Sequence, residues 1–178
     1  MDLKDRVRDG LDFEYLQGME IGPLYRPFVL KSEGKLIYVD HADTETLRNK
    51  YADTTQFNVD DIVNIDAVWG PKTLHECIGE NQKVDYIIAS QVVEHVPDFI
   101  TWLNELHSIL KPKGEIRLVV PDKNFTFDYA RQITTFADVL DANLRLARSP
   151  LPQNILDHFL KTREINLTEA WAGPINAE

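Results

Sequence analysis

Residues 84–121, VDYIIASQVVEHVPDFITWLNELHSILKPKGEIRLVVP, read as strand, loop, amphipathic helix, Pro/Gly stop and strand. The strands YIIAS (86–90) and EIRLVV (115–120) are apolar enough to be covered on two faces, as parallel strands with helical crossovers are. Pro97-Asp98 opens the helix, Phe99, Leu103, Leu106 and Leu110 form its buried stripe, and KPKG stops it. Each strand runs out into small, polar or charged residues, Ser90-Gln91 and then Pro121-Asp122-Lys123. In an open parallel sheet ligands sit outside the carboxyl ends of the strands, so those ends are where chemistry is sought. The unit specifies an α/β scaffold and does not by itself name a ligand.

Working outward, YLQGMEIG (15–22) and KLIYVD (35–40) read as the first two strands, and DIVNID (61–66) as a weaker third. Residues 1–15 form an amphipathic lead-in carrying Val7, Leu11 and Tyr15. Between the first two strands, Pro27 and a short span leave room for little more than one helical turn. Asp43 caps a helix through Thr44–Tyr51, and KTLHECIGEN (72–81) forms another. Beyond Pro121, TTFADVLDANLRLA (134–147) and PQNILDHFLKTR (152–163) read as helices, with no further strand. Right-handed crossovers arrange five strands in the order 3-2-1-4-5, a Rossmann-like, doubly wound α/β fold. The fifth strand then lies at an open, apolar edge that needs a cover, either the C-terminal helices or a second chain. The expected organisation is a single domain over 1–178, with its core at about 15–122 and a helical C-terminal segment at about 130–178.

The bulk composition narrows the partners. At 178 residues the chain can bury a sizeable core, and its 43% hydrophobic and 27% charged content is ordinary for a globular protein. A single cysteine, Cys77, rules out an internal disulfide framework and suits a reducing, cytoplasmic setting. The opening MDLKDRVRDG lacks the apolar run of a secretory signal, and no window is long enough to span a bilayer. A net charge of −10 argues against a dominant nucleic-acid contact. The five histidines and one cysteine show no metal-ligand spacing, so no metal is expected.

The strand ends supply the candidate site residues. After the first strand comes E-I-G-P-L-Y-R with only Gly22, where the dinucleotide fingerprint has three glycines. Pro23 removes an amide donor there, so a diphosphate is poorly served, whereas Glu20 can receive an ammonium group. Asp40 ends the second strand, where a carboxylate can accept both ribose hydroxyls; the alternative is that it charges the next helix N-terminus. Asp66-Ala67 ends the third strand, as an adenine-reading carboxylate and amide or as an exposed loop acid. His95 follows the fourth strand, as a general base or as a helix-entry histidine bonded to neighbouring backbone. Asp122 and Lys123 follow the fifth and are placed for substrate contact.

The order E-I-G (20–22), VD (39–40), VDYIIASQVVEHV (84–96) and LKPKGEIRLVVPD (110–122) is similar to that of class I S-adenosylmethionine-dependent methyltransferases. EIGPL, RPF and PDKNFTFDY further resemble a bacterial subgroup often found with glycosyltransferase and cell-surface polysaccharide genes. The resemblance covers about residues 15–145. It implies S-adenosylmethionine as cofactor, with Glu20 and Gly22 at its methionine end and Asp40 on the ribose. Asp66 and Ala67 would meet the adenine, Ser90 would back the methionine moiety, and His95 would face the acceptor. It also implies seven strands where five are read, so the last two are lacking, and a GxGxG loop of which Gly22 alone remains.

The leading expectation is a methyltransferase for a small molecule or a glycan precursor. Methyl transfer is a single in-line displacement, so most of its catalysis is positioning and desolvation. From a different class, the chain could be a catalytically silent methyltransferase-like module that binds or oligomerises through its open edge, as a homodimer for example. Cofactor binding separates the two.

Overall fold

The computed structural model describes residues 1–70 and 72–163. In chain order the elements are α1 (Leu3–Arg8), β1 (Gln17–Ile21), β2 (Lys35–Asp40), α2 (Thr44–Lys50), β3 (Ala67–Val68), α3 (Leu74–Ile78) and β4 (Val84–Ser90). Then follow α4 (Phe99–Ile109), β5 (Leu110–Val119), α5 (Phe136–Leu144) and α6 (Pro152–Lys161). All strand pairs are parallel, in the order β3-β2-β1-β4-β5, which is the Rossmann-like α/β arrangement expected. Of the helical segment expected at about 130–178, residues beyond 163 lie outside the described residues.

The chain falls into two compact units, Met1–Val93 with Leu103–Val119, and Glu94–Trp102 with the described residues from Val120 on. The first unit holds the whole sheet. Alternation along β1 sends Gly18 and Glu20 to one face and Met19 and Ile21 to the other. On the Glu20 face Val7, Val29, Tyr86 and Ile88 form a buried cluster, with Phe13, Leu16 and Phe28 against it. Gly18 is required there: a Cβ would come within 2.0 Å of the buried Tyr86 ring. Arg117 of β5 donates to the carbonyls of Val7 and Asp9 at 2.6 and 2.7 Å, tying α1 to the sheet.

Several boundaries differ from expectation, each for a visible reason. The first strand begins at Gln17 and not Tyr15, whose ring is exposed. The third strand is Ala67–Val68 and not 61–66. The alternating Val63 and Ile65 bond outside any ladder: the Val63 amide donates to the Leu24 carbonyl and the Ile65 amide to the Thr44 hydroxyl. The fifth strand starts at Leu110, so KPKG lies inside it. Val84 pairs with Leu110 and Tyr86 with Glu115, a register shift absorbed by a bulge with Lys113 at φ 69°. The stripe of α4 is Trp102, Leu106 and Ile109; Phe99, Leu103 and Leu110 are half-buried.

In the second unit, Asp98 caps α4 by accepting the Thr101 amide at 3.0 Å and its hydroxyl at 2.6 Å. Asn143 of α5 donates to both Asp98 oxygens at 3.2 Å. Thr135 and Asp138 form a capping box on α5. Arg131 joins Asp128 to Asp157 of α6. Among the described residues no helix is long and apolar enough to cross a membrane.

Candidate active site

In the first unit the sheet register fixes the candidate residues. Gly22 leaves β1 with φ 70°, a left-handed conformation that favours glycine, and its amide donates to the Val39 carbonyl at 2.9 Å. A Cβ at this position would come 3.0 Å from Val92 Cγ2, so the glycine keeps the backbone face clear. Leu24 is also left-handed, at φ 44°, which makes the whole turn tight.

Asp40, 6% exposed, closes β2. Its Oδ1 accepts both the His41 amide at 2.7 Å and His41 Nδ1 at 2.6 Å. His41 Nε2 lies 3.3 Å from Lys50 Nζ. An ammonium group can only donate, so Nε2 accepts and the ring proton sits on Nδ1, facing Asp40. Asp40 Oδ2 has no hydrogen-bond partner among the described residues. A largely buried carboxylate at the carboxyl end of the sheet thus keeps one oxygen uncommitted among the described residues.

Asp66 precedes β3 and does not end it. Its amide donates to the Tyr38 carbonyl at 2.9 Å, its Oδ2 accepts the Tyr38 amide at 2.8 Å, and Lys31 reaches its Oδ1 at 2.5 Å. The carboxylate extends the ladder of β2, which sets Ala67 opposite Val39. The strand end itself is Val68-Trp69, a residue sequence reasoning missed. The Trp69 amide donates to the Asp40 carbonyl at 2.8 Å and its indole N–H to Glu105 at 3.2 Å. A large aromatic just before Gly70 was the available signal.

Glu20 is 2% exposed and turned inward. Its two oxygens accept the amides of Phe28 and Val29 at 2.8 and 3.2 Å. Burial pushes its carboxyl up to about 7, against the pull of those amides and of Lys4 and Arg8. Ser90 is half-buried at the end of β4, followed by Gln91 at φ 55°, whose amide donates to Val119 at 2.9 Å.

The second unit holds the remaining candidates. His95 ends a short 3-10 turn (Val93–His95), is exposed, and its ring makes no hydrogen bond among the described residues. Asp122 accepts the Asn124 amide at 2.9 Å, starting a 3-10 turn over Lys123–Phe125. Lys123 donates to the Tyr129 carbonyl at 2.5 Å. Asp122 and Lys123 are therefore neighbours in sequence with separate structural partners.

Over residues 4–172 the sequence matches the methyltransferase-domain family. The chain belongs to that family. No curated protein matches this sequence. Among solved structures, the CurJ carbon methyltransferase is similar at 15% identity and a TM-score of 0.45, over 93% of this chain and 42% of that one. The ribosomal protein L11 methylase of Lactobacillus delbrueckii subsp. bulgaricus is similar at 15% identity and a TM-score of 0.38, over 63% of this chain and 54% of that one. This chain therefore spans about half the length of these solved proteins.

In this methyltransferase-domain chain, the structure brings Gly22, Asp40 and Ser90 to the carboxyl ends of β1, β2 and β4, while Ala67, expected to end the third strand, opens β3 and leaves Val68-Trp69 at its carboxyl end. Two acids expected beside them, Glu20 and Asp66, are committed to backbone amides. Residues His41 and Trp69 join the group, one orienting Asp40 and the other closing β3.

Proposed function

We propose that this chain binds S-adenosylmethionine and transfers its methyl group to a small-molecule or saccharide acceptor. The observation that carries the reading is Asp40: a buried carboxylate at the end of β2, one oxygen saturated by His41 and the other uncommitted, in a methyltransferase-domain chain. Such an oxygen fits the vicinal hydroxyls of a ribose. Gly22 allows a ligand to approach the backbone, Ser90 flanks it along the sheet, and Ala67-Val68-Trp69 offers an adenine an apolar strand end pinned by Asp66. The bound cofactor supplies an electrophilic methyl group on a cationic sulfur. His95, exposed and unbonded, takes the proton of an acceptor hydroxyl, with Asp122 and Lys123 as acceptor contacts.

The net charge of −10 suits a cationic cofactor and weighs against a nucleic-acid acceptor. The EIGPL and PDKNFTFDY segments favour a saccharide, through their likeness to the polysaccharide-associated subgroup. In this reading the chain acts as one methyltransferase-like domain in a bacterial cytoplasm. Calorimetry with S-adenosylmethionine and S-adenosylhomocysteine tests it: micromolar binding, weakened in Asp40→Ala, supports the reading, and no binding at millimolar ligand overturns it.

A second reading, a silent oligomerising module, is favoured by β5. This ten-residue strand is the sheet edge, with Leu118 38% exposed, and its outer side pairs with no strand among the described residues. A dimer in ultracentrifugation that dissociates in Leu118→Lys, together with failed cofactor binding, would favour it.

A further inference from the structure

The strap Pro27–Val29 crosses the Glu20 face of the sheet where an α/β unit ordinarily has a helix, and its backbone bonds are unusual. Every polar main-chain group in it is met by a side chain. The Pro27 carbonyl accepts Lys4 Nζ at 3.1 Å, the Phe28 carbonyl accepts Arg8 at 2.9 Å, and the Val29 carbonyl accepts the Tyr38 hydroxyl at 2.6 Å. The two amides, Phe28 and Val29, both go to Glu20. Proline has no amide to place. Val29 is fully buried, so an unmet amide there has no water to turn to.

The strap is the far anchor of the turn after β1. Its near anchor is the Gly22 amide on Val39, and between the two lie the left-handed Leu24 and a turn closed by the Arg26 amide on the Pro23 carbonyl at 3.1 Å. We infer that Glu20 is a positioning residue, which does not touch the cofactor but fastens the strap, holds the Gly22–Arg26 turn in its binding shape, and makes cofactor affinity depend on whether its carboxylate carries a proton. The inference rests on the S-adenosylmethionine reading above.

The groups facing Glu20 are known from every side. Lys4 and Arg8 of α1 favour its ionised form, with Arg8 partly neutralised by Glu33 at 2.5 Å. Tyr38 of β2 and Tyr86 of β4 are pushed up to about 12 by burial first, and then by the Glu20 charge. Arg117 of β5 is spent on Val7 and Asp9. Burial outweighs the two cations and leaves the carboxyl titrating near neutrality, at about 7. Protonation turns one acceptor oxygen into a hydroxyl. The longer bond, to Val29, is the one that loses its acceptor, and the strap slackens at its buried end.

The test is S-adenosylhomocysteine affinity at two pH values, in the full chain and in Glu20→Gln, with the Phe28 and Val29 amide proton shifts followed by NMR in the unmodified protein. Affinity should fall about tenfold between roughly pH 8 and pH 6. Glu20→Gln keeps one acceptor and cannot titrate, so it should bind at the higher pH as weakly as the parent does at the lower, with no further change. The two amide shifts should move together with a midpoint near 7. Equal affinities of parent and variant at the higher pH, or amide shifts that stay still across the range, would overturn the inference. No binding at either pH would overturn the cofactor reading instead, and the amide titration alone would then decide whether Glu20 holds the strap. Because it uses the unmodified chain, that titration still decides if Glu20→Gln does not fold.

Discussion

The candidate residues of the two units are built by different means. Asp40, Ala67 and Ser90 sit on parallel strands, where ladder register fixes each position to its neighbour, and Gly22 follows β1 with its amide on Val39. His95, Asp122 and Lys123 belong to the second unit, on two short 3-10 turns with few partners. A ligand common to a whole family can be served by a register that cannot slip without turning every side chain over. An acceptor that changes from protein to protein is better served by short turns, whose replacement leaves the sheet intact.

Breaking the strand-built half should have the largest consequence. Gly18→Ala places a methyl against the buried Tyr86 ring and should destabilise the chain by about 3 kcal/mol or more, seen in urea unfolding. Next comes Glu20→Gln. The folded Glu20 carboxyl titrates at about 7 against an ordinary 4.5, so the fold binds the extra proton between those values. The stabilisation is complete below the ordinary value and is lost as pH rises through 7. Thermal melts of Glu20→Gln should therefore exceed those of the parent above this range and gain nothing below it. A variant that is more stable yet binds cofactor more weakly is the signature of a residue kept for positioning.

Asp40→Ala should cost about 10–100-fold in S-adenosylhomocysteine affinity, the value of losing a charge-assisted hydrogen bond, while the melt stays close to the parent's. In the second unit, Asn143→Ala should cost about 1 kcal/mol. Burial raises the Asp98 carboxyl, but the Thr101 hydroxyl and amide and then Asn143 outweigh it, so the net shift is downward. Its stabilisation is present above the ordinary value of 3.8 and is lost as pH falls through the lower folded value. Acid unfolding of Asn143→Ala should accordingly begin at higher pH. The smallest effect sharpens the comparison: His95→Ala should leave cofactor affinity unchanged within about twofold, whatever it does to turnover, because its ring bonds to nothing among the described residues.

What the sequence made legible follows the same division. The strands YIIAS, KLIYVD and EIRLVV announced themselves by long apolar runs, and their crossovers left one order for the sheet. The third strand did not, because two residues carry no periodicity and the alternating Val63 and Ile65 owe their burial to loop bonds. Asp40 was legible from its place after a clear strand. Its orientation by His41 was not, since a bond between adjacent residues leaves no spacing pattern. Glu20 looked like a ligand group because acids before a strand-end glycine often are. The Phe28 and Val29 amides that claim it lie eight and nine residues on, in a strap whose path only the fold defines.

The most direct measurement is a crystal structure of the chain with S-adenosylhomocysteine. Both ribose hydroxyls should lie on the Oδ2 side of Asp40, with His41 still on Oδ1, the adenine against Val68-Trp69, and Glu20 still bonded to Phe28 and Val29. A ligand bound away from Asp40 would contradict its role as the ribose anchor, and Glu20 swung out to contact the ligand would contradict its role as a positioning residue.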